Sequence, residues 1–400
     1  MPSGRSVASS RRVKWGVLLA FCVPLAVVAI RLGWRPLAAW QSTAIEQSSD
    51  PDNIVRAALL VADTGNIYAT VDPPLRYLPL AAVFAFVEPT AGTAARITQS
   101  YATVSSFVAL PLAVAATFWR VADWETGFLT LFGFGVWRAL GVAENAYYDG
   151  FWHYAFVLPL VFLVLYSLHE TVDSDRARLR TDALAVVTGV GIGLIGLQQY
   201  VYGALVAAIT TGALLVNRRI RSLALAGIAG AVTATPLLFV TAETRSFVAE
   251  SAGSRLGVER WSLEILQTGF VDILTTPSYL LFFVGAAVAG GWLVVSPWSV
   301  SETHVVETAL AVFGAVGITC TLLVEPRWFA QLSLYVFQYL LLGTVVQQSV
   351  AFLGSNQPRL RDQIVGIFEG PASLRQFSFW AAVWVGFALL VLVAVPLQAP

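Results

Sequence analysis

Charge is what this chain has least of. Only 12% of its 400 residues are Asp, Glu, Lys or Arg, about half the ~25% of a typical soluble domain. So few charges cannot cover a water-facing surface. Lysine is nearly absent, Lys14 being the single one among 24 basic residues. The formal net charge is zero, which removes the electrostatic footprint of a nucleic-acid partner. The two cysteines, Cys22 and Cys320, each lie inside an apolar run. They read as small buried hydrophobes, not as a disulfide or a metal site. No internal repeat, low-complexity tract or polar linker interrupts residues 1–400, so a single integral membrane domain is expected.

What is present is apolar sequence, 57% of the total. A membrane-crossing helix needs about 20 apolar residues, and such stretches recur almost end to end. The expected fold is all-α, a polytopic transmembrane bundle of about eleven spans. The expected spans are residues 15–31, 97–118, 127–143, 152–168, 183–199, 200–216, 222–241, 277–296, 305–324, 328–352 and 377–397. The first run has the basic flank of a signal peptide (Arg11, Arg12, Lys14), but no small-residue cleavage site follows it. It reads as a retained span.

Cytoplasmic loops carry an excess of Arg and Lys. Four basic clusters therefore mark the cytoplasmic side: Arg11/Arg12/Lys14, Arg176/Arg178/Arg180, Arg218/Arg219/Arg221 and Arg359/Arg361. They place the N-terminus in the cytoplasm and the C-terminus outside. Counting spans between clusters puts Arg120 inside and Asp149 outside. It leaves residues 32–96 as one long external loop, although 75–87 is apolar. That run has only 13 residues and carries Arg76; runs of 10–14 are more often interfacial than spanning. A juxtamembrane helix is expected there, and a short true span is the alternative. His169 and His304 fall at inner ends and read as surface residues.

The external loop holds Glu46, Asp50, Asp52, Asp63, Asp72 and Glu88. Within it Ile54, Ala57, Ala58 and Val61 share one face at helical spacing. Asp50 or Asp52 then stands at the helix start, where an acid is favoured, and Gly65 is the stop signal. Capping and solvation would account for any one of these acids, for Asp63 and Asp72 above all.

Order and spacing suggest more. The run from Asp50-Pro-Asp52-Asn53 to Gly65 and Tyr68, then Pro73-Pro74-Leu75-Arg76, resembles the first external loop of GT-C glycosyltransferases. Among these multi-span enzymes it is nearest the protein O-mannosyltransferase and aminoarabinose transferase type. The likeness covers the architecture from about residue 14 to 350. Asp149, in Tyr147-Tyr-Asp-Gly-Phe-Trp-His153, resembles a second acid found at the outer end of a later span. Glu325-Pro-Arg327-Trp328 resembles an acidic-Pro-Arg-aromatic element that opens a late span. Two features depart from the pattern. Asn53 stands where many members have Glu, and no lysine occurs where some place one near the donor phosphate.

The resemblance implies transfer of a sugar from a polyprenyl-phosphate donor to a glycan, lipid or protein acceptor at the outer face of the plasma membrane. The acceptor proton must be removed, and a carboxylate within hydrogen-bond reach is the usual base. Asp52 is the candidate, with Asp149 as the second catalytic acid. The leaving phosphate needs positive charge, which a guanidinium supplies in a two-pronged clamp. Arg327 is the first choice, with Arg76 and Arg138 in support. Arg138 sits in the outer half of an apolar span, where a charged group is costly and usually functional. Pairing with Glu144 or reaching to the outer headgroups would equally explain it. Tyr68 and His153 complete the binding set. Asp149 and His153 are four apart and share a helix face, but no third ligand is evident, so no metal site is assigned. No cofactor is required, and the acidic motif leaves room for a divalent cation.

Two other classes fit a polytopic chain. A transporter or lipid-linked-glycan flippase would show a repeat and midplane charges, and neither is visible. A non-catalytic relative that keeps the fold would explain Asn53.

Overall fold

A computed structural model describes residues 4–33, 50–70, 75–139, 152–173, 178–240, 305–323, 328–356 and 374–394, with scattered positions between 266 and 285. Among the described residues there is no strand. The helices are α1 (Gly4–Gly33), α2 (Asp50–Thr64), α3 (Leu78–Val87), α4 (Ala91–Val104), α5 (Leu110–Val121), α6 (Trp124–Ala139) and α7 (Trp152–Asp173). They continue with α8 (Arg178–Gln198), α9 (Tyr200–Val216), α10 (Ile220–Thr233), α11 (Val305–Leu323), α12 (Trp328–Asn356) and α13 (Leu374–Ala394).

Five helical stretches are long and apolar enough to cross a membrane: Ala91–Val121, Tyr154–Asp173, Arg178–Gln198, Val305–Leu322 and Gln331–Leu353. The shorter apolar helices Val13–Val27, Tyr200–Val216, Ile220–Thr233 and Ala381–Val391 coincide with further expected spans. The expected span 277–296 lies mostly outside the described residues. The chain is an integral membrane protein by these helices.

The apolar run at 75–87 forms only the ten-residue α3. At 1.5 Å per residue this is about 15 Å, half a hydrocarbon core. Glu88, in the left-handed region at φ 48°, ends it. Thr90 then caps α4, its hydroxyl accepting from the Thr93 N–H. The long helix thus starts at Ala91, earlier than the expected 97.

Large side chains bury α1 along one stripe. In α1, Leu18, Phe21, Cys22 and Leu25 are buried at i, i+3, i+4 and i+7, the spacing of one face. Phe21 meets Phe128 edge-on at 5.0 Å and Phe387 at 5.2 Å. α7 is buried nearly all round, as a helix apolar on every side must be at the centre of a bundle.

Proline explains three details of the packing. It has no N–H, so it strands the carbonyl four residues back. Pro159 in α7 strands Ala155 O, and the Ser105 hydroxyl donates to that oxygen at 2.6 Å. Pro24 in α1 strands Ala20 O, and the Trp384 indole N–H donates to it at 2.8 Å. Just before Pro111 the helix widens into a π turn, Ser105–Ala109, in which the Leu110 N–H reaches Ser105 O. Inside a bilayer no water can satisfy such groups, so a neighbouring helix must. Ser105→Ala should therefore destabilise the protein by about 1–3 kcal/mol, the cost of an orphaned buried acceptor. Thermal melting in detergent measures it. Adding Pro159→Ala restores a backbone donor and should recover most of the loss; equal instability in the double variant would sink the explanation.

The basic residues expected on one side do share one end of the bundle. Arg120, in the last turn of α5, pairs with buried Glu170 and with Asp173 at 3.2 Å. Arg180 approaches Glu170 at 3.9 Å, and Arg219 donates to Val172 O at 3.1 Å. Arg221 grips Asp182 through two bonds of 2.9 and 2.7 Å. Lys14 stands 5.5 Å over the Trp124 ring, which joins the start of α1 to this end. The Arg359/Arg361 cluster lies outside the described residues. One expectation fails here. His169 is 4% exposed and its Nδ1 finds no partner among the described residues. It is a core residue, because Glu170 beside it is drawn inward by arginines from two other segments.

Candidate functional site

The loop that carries Tyr68 and Arg76 lies at the opposite end of α8 and α10. α2 begins at Asp50 itself, so Asp52 stands in its first turn and not ahead of the helix. Ile54, Val55, Ala58 and Val61 bury its apolar face, with Ala57 packed beside them. Gly65, at φ 64°, ends it with its N–H on Val61 O. This left-handed position is where a side chain would strain and glycine does not. Asn66 Oδ1 then accepts from the Tyr68 N–H at 2.9 Å and turns the chain back.

That turn delivers Tyr68 to α10. Its hydroxyl donates to Pro236 O at 2.8 Å, in the 3-10 turn Thr235–Phe239 that follows α10. Seven residues later the chain crosses the end of α8. The Leu75 N–H donates to Leu197 O at 3.0 Å, and Arg76 Nε to Gln198 O at 3.4 Å. The last carbonyls of a helix have no partner within it and carry partial negative charge. Leu75 and Arg76 cap them. Beside them the Gln198 side-chain oxygen is buried without a partner among the described residues.

Below this loop lies an apolar cleft of about 460 Å³ between α8, α9 and α10. Gly193, Gly196, Gly203, Gly227 and Gly230 form much of its wall, and Tyr200, Ala234 and Leu237 stand at the end nearest Tyr68 and Arg76. The glycines create the space by omission. A Cβ on Gly196 or Gly227 would meet nothing within 4 Å.

Tyrosines join the starts of α7, α9 and α12. The Tyr202 hydroxyl, near the start of α9, donates to Leu332 O near the start of α12 at 2.7 Å. Tyr154, near the start of α7, has its ring 6.2 Å from Tyr202 and 6.3 Å from Tyr335. Tyr101 stacks on Phe156 at 4.4 Å, so the π turn lies alongside. His153 precedes Tyr154 on α7, and Arg138 occupies the last turn of α6, remote from Arg120. Their backbones, like that of Asp52, are described and their side chains are not. Asp149 and Arg327 lie outside the described residues. Tyr68 and Arg76 are the two candidates whose side-chain bonds are seen, and both anchor the loop. Among the described residues no group of three His, Cys, Asp or Glu could hold a metal ion.

The cleft and the π turn were not anticipated. The glycine spacing along α8 and α10 carried a signal for the cleft. For the π turn, only Pro111 hinted at a break.

No protein-family profile and no curated protein matches the chain. Solved structures do. The apo crystal structure of the Archaeoglobus fulgidus oligosaccharyltransferase superposes with a TM-score of 0.53 at 12% identity, over 96% of this chain and 56% of that one. The archaeal oligosaccharyltransferase AglB from the same organism, in complex with an inhibitory peptide and a dolichol-phosphate, gives 0.52 at 14% identity over 96% and 56%. The chain thus spans about half the length of the solved chains it matches. Over the matched half, the chain shares the fold of the archaeal oligosaccharyltransferase.

Proposed function

We propose that the protein is a glycosyltransferase that takes a sugar from a polyprenyl-phosphate donor and works at the membrane face opposite its arginine clusters. The positive-inside rule makes that face extracytoplasmic. The observation that carries the reading is the apolar cleft opening beside the loop held by Tyr68 and Arg76. A polyprenyl chain is apolar along its length and ends in a charged phosphate. A cleft within the bilayer whose upper end meets a guanidinium suits both parts. The dolichol-phosphate bound to the structural neighbour is a ligand of this class.

The reaction would run as one displacement. The acceptor hydroxyl or amide gives its proton to the Asp52 carboxylate and bonds to the anomeric carbon. The bond from that carbon to the phosphate oxygen breaks, and polyprenyl phosphate leaves as an anion. Arg327 and Arg138, with Arg76, offset the charge that develops on it. Asp149 and His153 orient the sugar or share the proton. No step is assigned to a metal.

The cleft offers a test that spares the chemistry. Gly227 lines the cleft and a Cβ there meets nothing within 4 Å, so Gly227→Leu projects a side chain into the cleft. The variant should melt like the parent, while its donor KM rises on the order of tenfold, as expected when bulk occupies a lipid pocket worth a few buried methylenes. Unchanged donor KM in a folded variant would remove the cleft from the reading. Substrate flux through reconstituted vesicles with no sugar transfer would favour transport instead.

A further inference from the structure

A second cavity, of about 310 Å³, lies at the other end of the same two helices. Its wall is basic: Arg178, Arg218, Arg219 and Arg221 stand around it with Asp182, Thr181 and Ser222. It is separate from the apolar cleft. Along α8 the two linings are ten residues apart, Asp182 against Ile192, about 15 Å at 1.5 Å per residue, and along α10 Ser222 lines the one and Leu223 the other.

The fold concentrates positive charge there. α8 and α10 pack side by side and point the same way, since Gly189 lies on Ala226 and Gly193 on Gly230 one turn later. Both helices therefore begin at this cavity, and both place the positive end of the helix dipole there. Arg219 stands at the cap position of α10 with no side-chain cap bond. One carboxylate faces four guanidiniums. Arg221 takes both oxygens of Asp182, and Arg219 is turned onto Val172 O. Arg178 and Arg218 are exposed at the rim. Among the described lining residues positive charge exceeds negative, which suits an anion.

The surroundings say where the anion comes from. Leu179 is 82% exposed and Ile220 59%, and Leu215 and Val216 are exposed beside them. These apolar side chains flank the basic rim at a helix end, the level at which headgroups give way to acyl chains. A soluble ion gains nothing from them, whereas a lipid uses both. Basic pockets between helices on the cytoplasmic side bind anionic headgroups for this reason.

We infer that this cavity binds the phosphate of an anionic phospholipid in the leaflet facing the arginine clusters. The inference stands apart from the donor cleft and does not depend on the transferase reading. In the cell it would hold the α8–α10 pair at a fixed depth and tie its packing to lipid charge.

Native mass spectrometry of the full chain in neutral detergent tests it with phosphatidylglycerol, phosphatidylcholine and inorganic phosphate as probes. The expected result is retention of phosphatidylglycerol over both others. Arg178→Gln combined with Arg218→Asn should weaken that retention about 30-fold, from two lost headgroup contacts. Asn suits position 218 because its φ is 54° and Asn tolerates the left-handed region. Arg56→Gln, at an exposed position of α2, should change nothing. Equal retention by the parent and the double variant, with matching melting curves, would overturn the site. Inorganic phosphate held as tightly as the lipid would overturn the lipid assignment.

Discussion

Asp52→Asn should lower sugar transfer from a lipid-linked donor by roughly 10²–10⁴-fold, the usual contribution of a positioned general base. The change keeps size and removes the proton acceptor, so the donor KM should hold while kcat falls. Position makes Asp52 the choice among the loop acids. It stands in the first turn of α2, and α2 is fixed to the bundle by Ile54, Val55, Ala58 and Val61. Asp63 is exposed at the far end of the same helix, where a carboxylate is solvated. A transfer assay in membranes, paired with a melting curve, decides the matter. Full activity in a folded Asp52→Asn protein would end the assignment of Asp52 as the base, whereas no transfer by the parent itself would favour the non-catalytic reading, to which Asn53 points.

The largest expected effect on stability is Gly189→Val. A side chain at Gly189 would drive into the carbonyl oxygen of Ala226 on α10. One turn on, a Cβ at Gly193 would lie 2.6 Å from Thr233 Cβ and 2.9 Å from Gly230 O. The two backbones touch, and backbone cannot rotate aside as a long side chain can. Lipid tails are as apolar as leucine, so close packing rather than water exclusion holds these helices together. Forcing them apart should cost about 3 kcal/mol, the upper part of the range for overpacking. The melting temperature in detergent should drop by several degrees, and both cavities between α8 and α10 should distort. Gly212→Val is the matched comparison, since a Cβ there meets nothing within 4 Å, and it should melt like the parent. Similar curves for the two variants would show that the close approach is not a source of stability.

Charge parity placed Arg120 with the arginines of α8 and α10, and Glu170 duly bridges Arg120 and Arg180. Length and charge parity together pointed to a juxtamembrane helix at 75–87, and the helix there, α3, has ten residues. The apolar period from Ile54 to Val61 and the stop at Gly65 located α2 to within a turn. The helix begins at Asp50, one of the two acids expected at its start, where negative charge is stabilised. His169 was misread because its neighbours along the chain resemble a surface. Its burial depends on Arg120 and Arg180 reaching Glu170 from other segments, which no local pattern reveals.

The site shows the same division. The motif from Asp52 to Arg76 was legible as an ordered set. That Tyr68 and Arg76 serve as anchors, on Pro236 and on the carbonyl end of α8, was not. Each bond joins residues more than a hundred positions apart.

By itself, then, the sequence determined the membrane, the helices, the side on which basic residues gather and the loop that carries the acids. These follow from composition, period and length, which are properties of neighbouring residues. Tertiary structure alone decided which donors satisfy the carbonyls stranded by Pro24 and Pro159, and how closely α8 approaches α10. It also decided that the space between those helices is apolar at one end and cationic at the other. Such outcomes depend on which surfaces meet, and that is fixed by packing across the whole bundle.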